Sequence, residues 1–61
     1  MKYIKCSEQL PPEDVLVHTC IIEGGDIRMD SKLTRVRSMY YIEDKSMYVY
    51  YAPTHWAYIE G

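Results

Sequence analysis

Two thiols and two imidazoles, Cys6, Cys20, His18 and His55, amount to the ligand set of a structural zinc site. Thiolate sulfur and imidazole nitrogen are the ligands of structural zinc, which they surround as a tetrahedron. His18 and Cys20 stand two residues apart, so on an extended strand they share a face. The pattern goes no further. There is no Cys-x-x-Cys or His-x-x-x-His pair, and Cys20, between Thr19 and Ile21, suits the role of a small buried hydrophobe equally well. The expectation is a chain that folds with no metal, no cofactor and both thiols free, as thiols are kept in a reducing cytosol.

A second constellation is cationic and aromatic. Lys32, Arg35 and Arg37 form the basic cluster, and Tyr40, Tyr41, Tyr48 and Tyr50 follow it. Cations beside exposed rings are what single-strand nucleic-acid binders use to hold phosphates and stack bases. The whole chain opposes that use, since nine acidic residues against seven basic ones give a net charge of -2 and no attracting field. Glu8, Glu13 and Asp14 gather around Leu10-Pro11-Pro12, where carboxylates solvate a turn. Gly24-Gly25 leads into strand-forming residues and not into a helix, so it is no phosphate loop. With no triad-like spacing, and with a chain too short to enclose a pocket of ordinary size, the chain reads as a non-enzyme.

Those residues need elements to position them. Lys2 to Cys6 reads as a short strand, and Ser7 is placed to cap a single turn over Glu8, Gln9 and Leu10 before Pro11-Pro12 ends it. Asp14 to Ile22 is the best strand. Val15, Val17, Thr19 and Ile21 fall on one face and Leu16, His18, Cys20 and Ile22 on the other; with both faces largely apolar, the strand belongs in the middle of a sheet. Glu23-Gly24-Gly25-Asp26 is a tight hairpin turn, which predicts Asp26 to Asp30 running back antiparallel with Ile27 and Met29 inward.

Residues 31–42 fit two periods. Met29, Leu33, Val36 and Tyr40 fall at helical spacing, whereas Thr34, Val36, Ser38, Tyr40 and Ile42 alternate as in a strand with Arg35 and Arg37 opposite; the β-branched and aromatic content favours strand. Glu43-Asp44-Lys45 is a polar turn. Met47 to Ala52 alternates again, with Met47, Val49 and Tyr51 on one face and Tyr48 and Tyr50 on the other, outward if Tyr51 packs inward, until Pro53 interrupts the ladder and Thr54 to Ile59 closes the sheet.

A chain of 61 residues buries only about 60% of the surface its unfolded form exposes, so a single domain spanning 1–61 with one small core is expected. The expected architecture is all-β or β-rich α+β, a small antiparallel meander or partly closed barrel of four to five strands with at most one short helix. Phe is absent and Trp56 is the largest apolar body, so packing against Leu10, Pro11 and Val17 makes these four the structural anchors. No run approaches the roughly 18 apolar residues of a spanning helix, and Met1 to Lys5 lacks the apolar stretch of a signal peptide. A cytoplasmic location without a membrane partner is the corresponding expectation.

Tyr3-Ile4, Leu10-Pro11, Val15-Leu16-Val17, Tyr40-Tyr41 and Thr54-His55-Trp56 together resemble the anchors of the Domain of Unknown Function 551 family, small proteins of phage and prophage genomes. Tyr3 stands where that family usually carries tryptophan, and Ala57 to Gly61 replaces its proline-rich ending. The resemblance implies a phage or prophage accessory protein in the host cytoplasm. With seven tyrosines to place on a small surface, the expected role is a non-catalytic module that binds a host or phage protein. Tyr and Arg are enriched in binding hot spots, which makes Arg35, Arg37, Tyr48 and Tyr50 the candidate contact residues. The alternatives are a nucleic-acid-binding accessory protein using Arg35, Arg37 and the neighbouring tyrosines, and a self-associating domain that forms homo-oligomers.

Overall fold

The structure is a computed structural model that describes residues 2–59; Met1, Glu60 and Gly61, the ends of the expected 1–61 domain, lie outside the described residues. Five strands, β1 (Ile4–Lys5), β2 (Leu16–Glu23), β3 (Asp26–Val36), β4 (Met39–Tyr41) and β5 (His55–Tyr58), form one open sheet in the order β1-β5-β2-β3-β4. Every strand pair is antiparallel, and no helix occurs among the described residues. The all-β expectation therefore holds. β2, β3 and β4 make a meander, and the last strand slots between the first two.

The central place of β2 follows from its sequence. It pairs with β3 on one side and with β5 on the other, and Thr19 and Cys20, which point to opposite faces, are both fully buried. The strand starts at Leu16 and not at Asp14. Asp14 has a φ of 64°, and its N–H donates to the Arg35 carbonyl at 2.8 Å, so the chain turns there before it can extend.

The glycine turn forms as its residues dictate. Gly24 and Gly25 have φ of 58° and 85°, the left-handed pair that a two-residue hairpin requires. Ile27 and Met29, expected inward, are instead 55% and 45% exposed. The cause is the length of the neighbours: β5 pairs with β2 only from Val17 to Cys20, and β4 meets β3 only from Thr34 onward. The far half of the β2–β3 hairpin is thus a two-stranded arm reaching past the core. Its pairing slips by one residue between Ile21 and Ile22, and among the described residues the outer edge of β3 carries no strand partner from Asp26 to Leu33.

Residues 31–42 resolve as strand, with a break. β3 runs to Val36, Arg37 (φ 58°) and Ser38 form a turn, and β4 returns with Thr34 opposite Tyr41 and Val36 opposite Met39. The Glu43–Lys45 turn also forms. Lys45 donates to the Ile42 carbonyl at 2.8 Å, and the Ser46 N–H donates to Asp44 Oδ1 at 2.9 Å. Hydrogen bonding from the Ser46 side chain and N–H lowers the Asp44 carboxyl from its ordinary value.

Met47 to Ala52 is not the expected strand. β4 is only three residues long, so its outer edge takes just one bridge, Tyr41 to Tyr48, with Ile42 donating to the Met47 carbonyl and Val49 to the Tyr40 carbonyl. Met47 stands exposed, and the chain bends away at Tyr50. Near the N-terminus, the Glu8 and Gln9 N–H groups both donate to the Lys5 carbonyl at 3.0 Å. These i+3 and i+4 bonds close a single turn that begins at Lys5, and among the described residues no bond from the Ser7 hydroxyl caps it.

One face of the sheet carries Ile4, Trp56, Val17, Thr19, Leu33 and Tyr40, aligned by register. Trp56 is 0% exposed and lies edge-on to Tyr58 at 4.9 Å. Its indole N–H donates to the Gln9 carbonyl at 2.8 Å, which fastens the turn after β1 over the core. Pro11 and Val17 are buried as anchors should be, but Leu10 is 55% exposed and is not one. Fixing Gln9 through its carbonyl and burying the next residue but one sends the intervening side chain outward.

Candidate functional site

The basic pair divides into two roles. The Arg35 guanidinium, half-buried, donates from Nε to the Pro11 carbonyl at 2.7 Å and from Nη1 to the Arg37 carbonyl at 2.6 Å. The Glu13 carboxylate in turn accepts the Arg37 backbone N–H at 2.6 Å, and Glu13 forms a parallel bridge with Arg35. Arg35 is a clamp that ties the loop before β2 to the β3–β4 turn, since two main-chain carbonyls point where its fork donates. Arg37 is exposed, and the bond made by its backbone holds the left-handed turn without engaging its guanidinium.

The tyrosines gather beside that turn. Tyr41 and Tyr48 lie edge-on at 6.1 Å and 68°, and Tyr48 and Tyr50 at 5.4 Å and 70°, so three rings form a continuous row. Edge-to-face contact brings the positive rim of one ring to the negative face of the next, which stabilises such a row by about 0.5–1.5 kcal/mol per pair. Its outer end is open. Tyr50 is 92% exposed, and Tyr48 is exposed as well.

The row borders a cleft of about 300 Å³ lined by Ser38, Met39, Tyr40, Tyr48, Val49, Tyr50, Tyr51 and Ala52. The β4 strand supplies its floor, and the bend after Val49 swings Tyr50 to Ala52 around to make a wall. Of the candidate contacts, Tyr48 and Tyr50 line this cleft, Arg37 sits next to its rim residue Ser38, and Arg35 is turned away into the clamp. Met39, Val49, Tyr51 and Ala52 belong to the lining without having been singled out by sequence. The run Tyr48-Val49-Tyr50-Tyr51-Ala52-Pro53 held the signal, in the density of rings before a proline.

The possible metal donors do not converge. By register His18, Cys20 and His55 lie on the face opposite Trp56, while Cys6 continues the β1 ladder, its N–H donating to the Thr54 carbonyl, and faces the Tyr40 hydroxyl. Among the described residues, no three His, Cys, Asp or Glu side chains come together as a metal-binding group. His55 Nδ1 instead meets Thr54 Oγ1 at 2.8 Å. Burial pushes the Cys6 and Cys20 thiols above their ordinary value, and it raises the phenols of Tyr40 and Tyr3 beside them. At neutral pH both sulfurs are protonated, and the thiolate needed for attack or metal binding is scarce.

Comparison with protein-family models, with curated proteins and with solved structures found no match to this chain.

Proposed function

We propose that this protein is a non-catalytic protein-binding module of the phage or prophage accessory kind, acting on a host or phage protein in the cytoplasm through its tyrosine surface. The reading combines the resemblance carried by Tyr3-Ile4, Leu10-Pro11 and Thr54-His55-Trp56 with one observation, the open row Tyr41, Tyr48 and Tyr50 along an uncharged cleft. Leaving such rings in water is unfavourable, and covering them is where a contact gains most. The cleft offers hydroxyls and ring faces but no carboxylate, imidazole, thiol or amine, which suits recognition and not proton transfer. The nucleic-acid alternative loses strength because the Arg35 fork is already engaged by two carbonyls.

The test is the double substitution Tyr48→Ser with Tyr50→Ser. It removes the outer rings and their edge-to-face contacts while leaving Trp56, Val17 and Leu33 in place, so a lowered but still cooperative melt is expected while a protein captured by the parent chain is lost. Retained capture would refute this docking surface, and sedimentation of the free protein distinguishes a foreign partner from a second copy of the chain.

A further inference from the structure

We infer that the cleft beside β4 takes a proline-rich segment in the polyproline II conformation. The inference rests on the docking reading above and names the chemistry of its partner.

Three features of the cleft select that occupant. The first is electrostatic. Charged residues make up 26% of the chain, yet none of the eight that line the cleft is charged, so the lining itself offers an acidic or basic segment no counter-ion. An uncharged segment matches an uncharged site. The second is the backbone. An extended peptide recognised by strand addition needs a free edge, but the outer edge of β4 is occupied by the bridge at Tyr48 and the bond from the Val49 N–H to the Tyr40 carbonyl. The occupant must therefore be held by side-chain surfaces. Proline has no N–H to leave unpaired, and polyproline II makes no internal hydrogen bonds, so its carbonyls are free to accept.

The third is the lining itself. Tyr48 and Tyr50 stand edge-on at 5.4 Å with much of both rings exposed, which leaves aromatic surface for pyrrolidine rings to pack on, and their phenol hydroxyls are donors for those free carbonyls. At about 300 Å³ the cleft is at the small end of ligand sites, which fits a few residues of a narrow helix and not a folded surface. Because polyproline II is largely formed before binding, little ordering entropy opposes a contact this small.

The experiment is a titration of isotopically labelled protein with decaproline, with a Gly-Ser peptide of equal length, and with a thymidine decanucleotide, each followed by amide chemical shifts. Decaproline is expected to move the amides of Ser38 to Tyr40 and Tyr48 to Ala52, and the Gly-Ser peptide to move none. Tyr50→Ala should weaken the decaproline effect about tenfold while the protein still melts cooperatively. Absence of shifts at millimolar decaproline, shifts centred elsewhere, or shifts at the cleft with the oligonucleotide alone would overturn the inference. If a captured protein is lost on Tyr48→Ser with Tyr50→Ser but is not displaced by decaproline, the polyproline inference fails while the docking surface stands; if it is retained by that double variant, the docking surface itself fails.

Discussion

Replacing Arg35 should act on folding, and the size of the effect can be worked from its contacts. The guanidinium donates to the Pro11 and Arg37 carbonyls at 2.7 and 2.6 Å. A hydrogen bond from a charged group contributes about 1.5–3 kcal/mol net. Arg35 is only half-buried, so water can replace part of each bond, and Arg35→Met is expected to lose about 2–3 kcal/mol in all. At roughly 0.05–0.15 kcal/mol per residue, a chain of 61 residues has a total stability of about 3–9 kcal/mol. The loss is a large share of that, and it corresponds to a fall in melting temperature of roughly 10–20 °C. Arg35→Lys keeps the charge but not the fork, so it should fall between the parent and the methionine variant. Arg37→Gly is the matched control. It removes an exposed side chain from a left-handed position, and it should leave stability unchanged or raise it by up to about 1 kcal/mol. Thermal and urea melts followed by far-ultraviolet circular dichroism measure all three. If Arg35→Met melts with the parent while Arg37→Gly does not, the clamp is not what holds the loop, and Arg35 returns to the list of contact residues.

Two further outcomes follow from the core. Trp56→Ala should lose about 3–5 kcal/mol and with it the cooperative melt, whereas Trp56→Phe, which keeps a ring but leaves the Gln9 carbonyl without its donor, should lose about 1–3 kcal/mol; a parent-like melt for the alanine variant would contradict the central role of this ring. Stability should also fall as pH rises above about 9. Cys6, Cys20, Tyr3 and Tyr40 all have folded values raised above the ordinary 9.0 and 10.0, so the unfolded chain releases their protons first and alkali favours it; the stability is fully present below the unfolded values and is lost as pH climbs through the folded ones. Urea midpoints taken from pH 7 to 10.5 test this, and a flat profile would mean that these groups are not shielded in the native state.

Local chemistry was easy to read where it was self-contained. Gly24-Gly25 demands a left-handed turn whatever surrounds it, and an apolar strand with two apolar faces has only the middle of a sheet to occupy, so β2 and its hairpin were legible. The alternation of Met47 to Ala52 is equally clean, but a strand needs a neighbour long enough to pair with, and three-residue β4 supplies only one bridge. Ile27 and Met29 alternate correctly as well. Whether they are covered depends on where β4 and β5 stop, which their own residues do not encode. Arg35 looked like a phosphate contact because its partners, two main-chain carbonyls including one at Pro11, leave no mark in composition. Tyr48 and Tyr50 stand outward as expected, and their cleft depends on a bend that Pro53 hints at without specifying.

The unpaired outer edge of β3 has a consequence for how the protein behaves when crowded. A bare strand edge is a template on which another chain can add, and repeated addition grows cross-β fibrils. The edge from Asp26 to Lys32 places Asp26, Arg28, Asp30 and Lys32 in solvent at every second residue, and the slip at Ile21/Ile22 leaves Arg28 as the extra residue that breaks the regular spacing of donors and acceptors. An incoming strand would meet a charge at alternate steps and a ladder out of phase partway along. These are devices by which natural sheets discourage edge-to-edge growth. The exposed Ile27 and Met29 thus sit on an arm whose charged, out-of-phase edge is a poor template for strand addition.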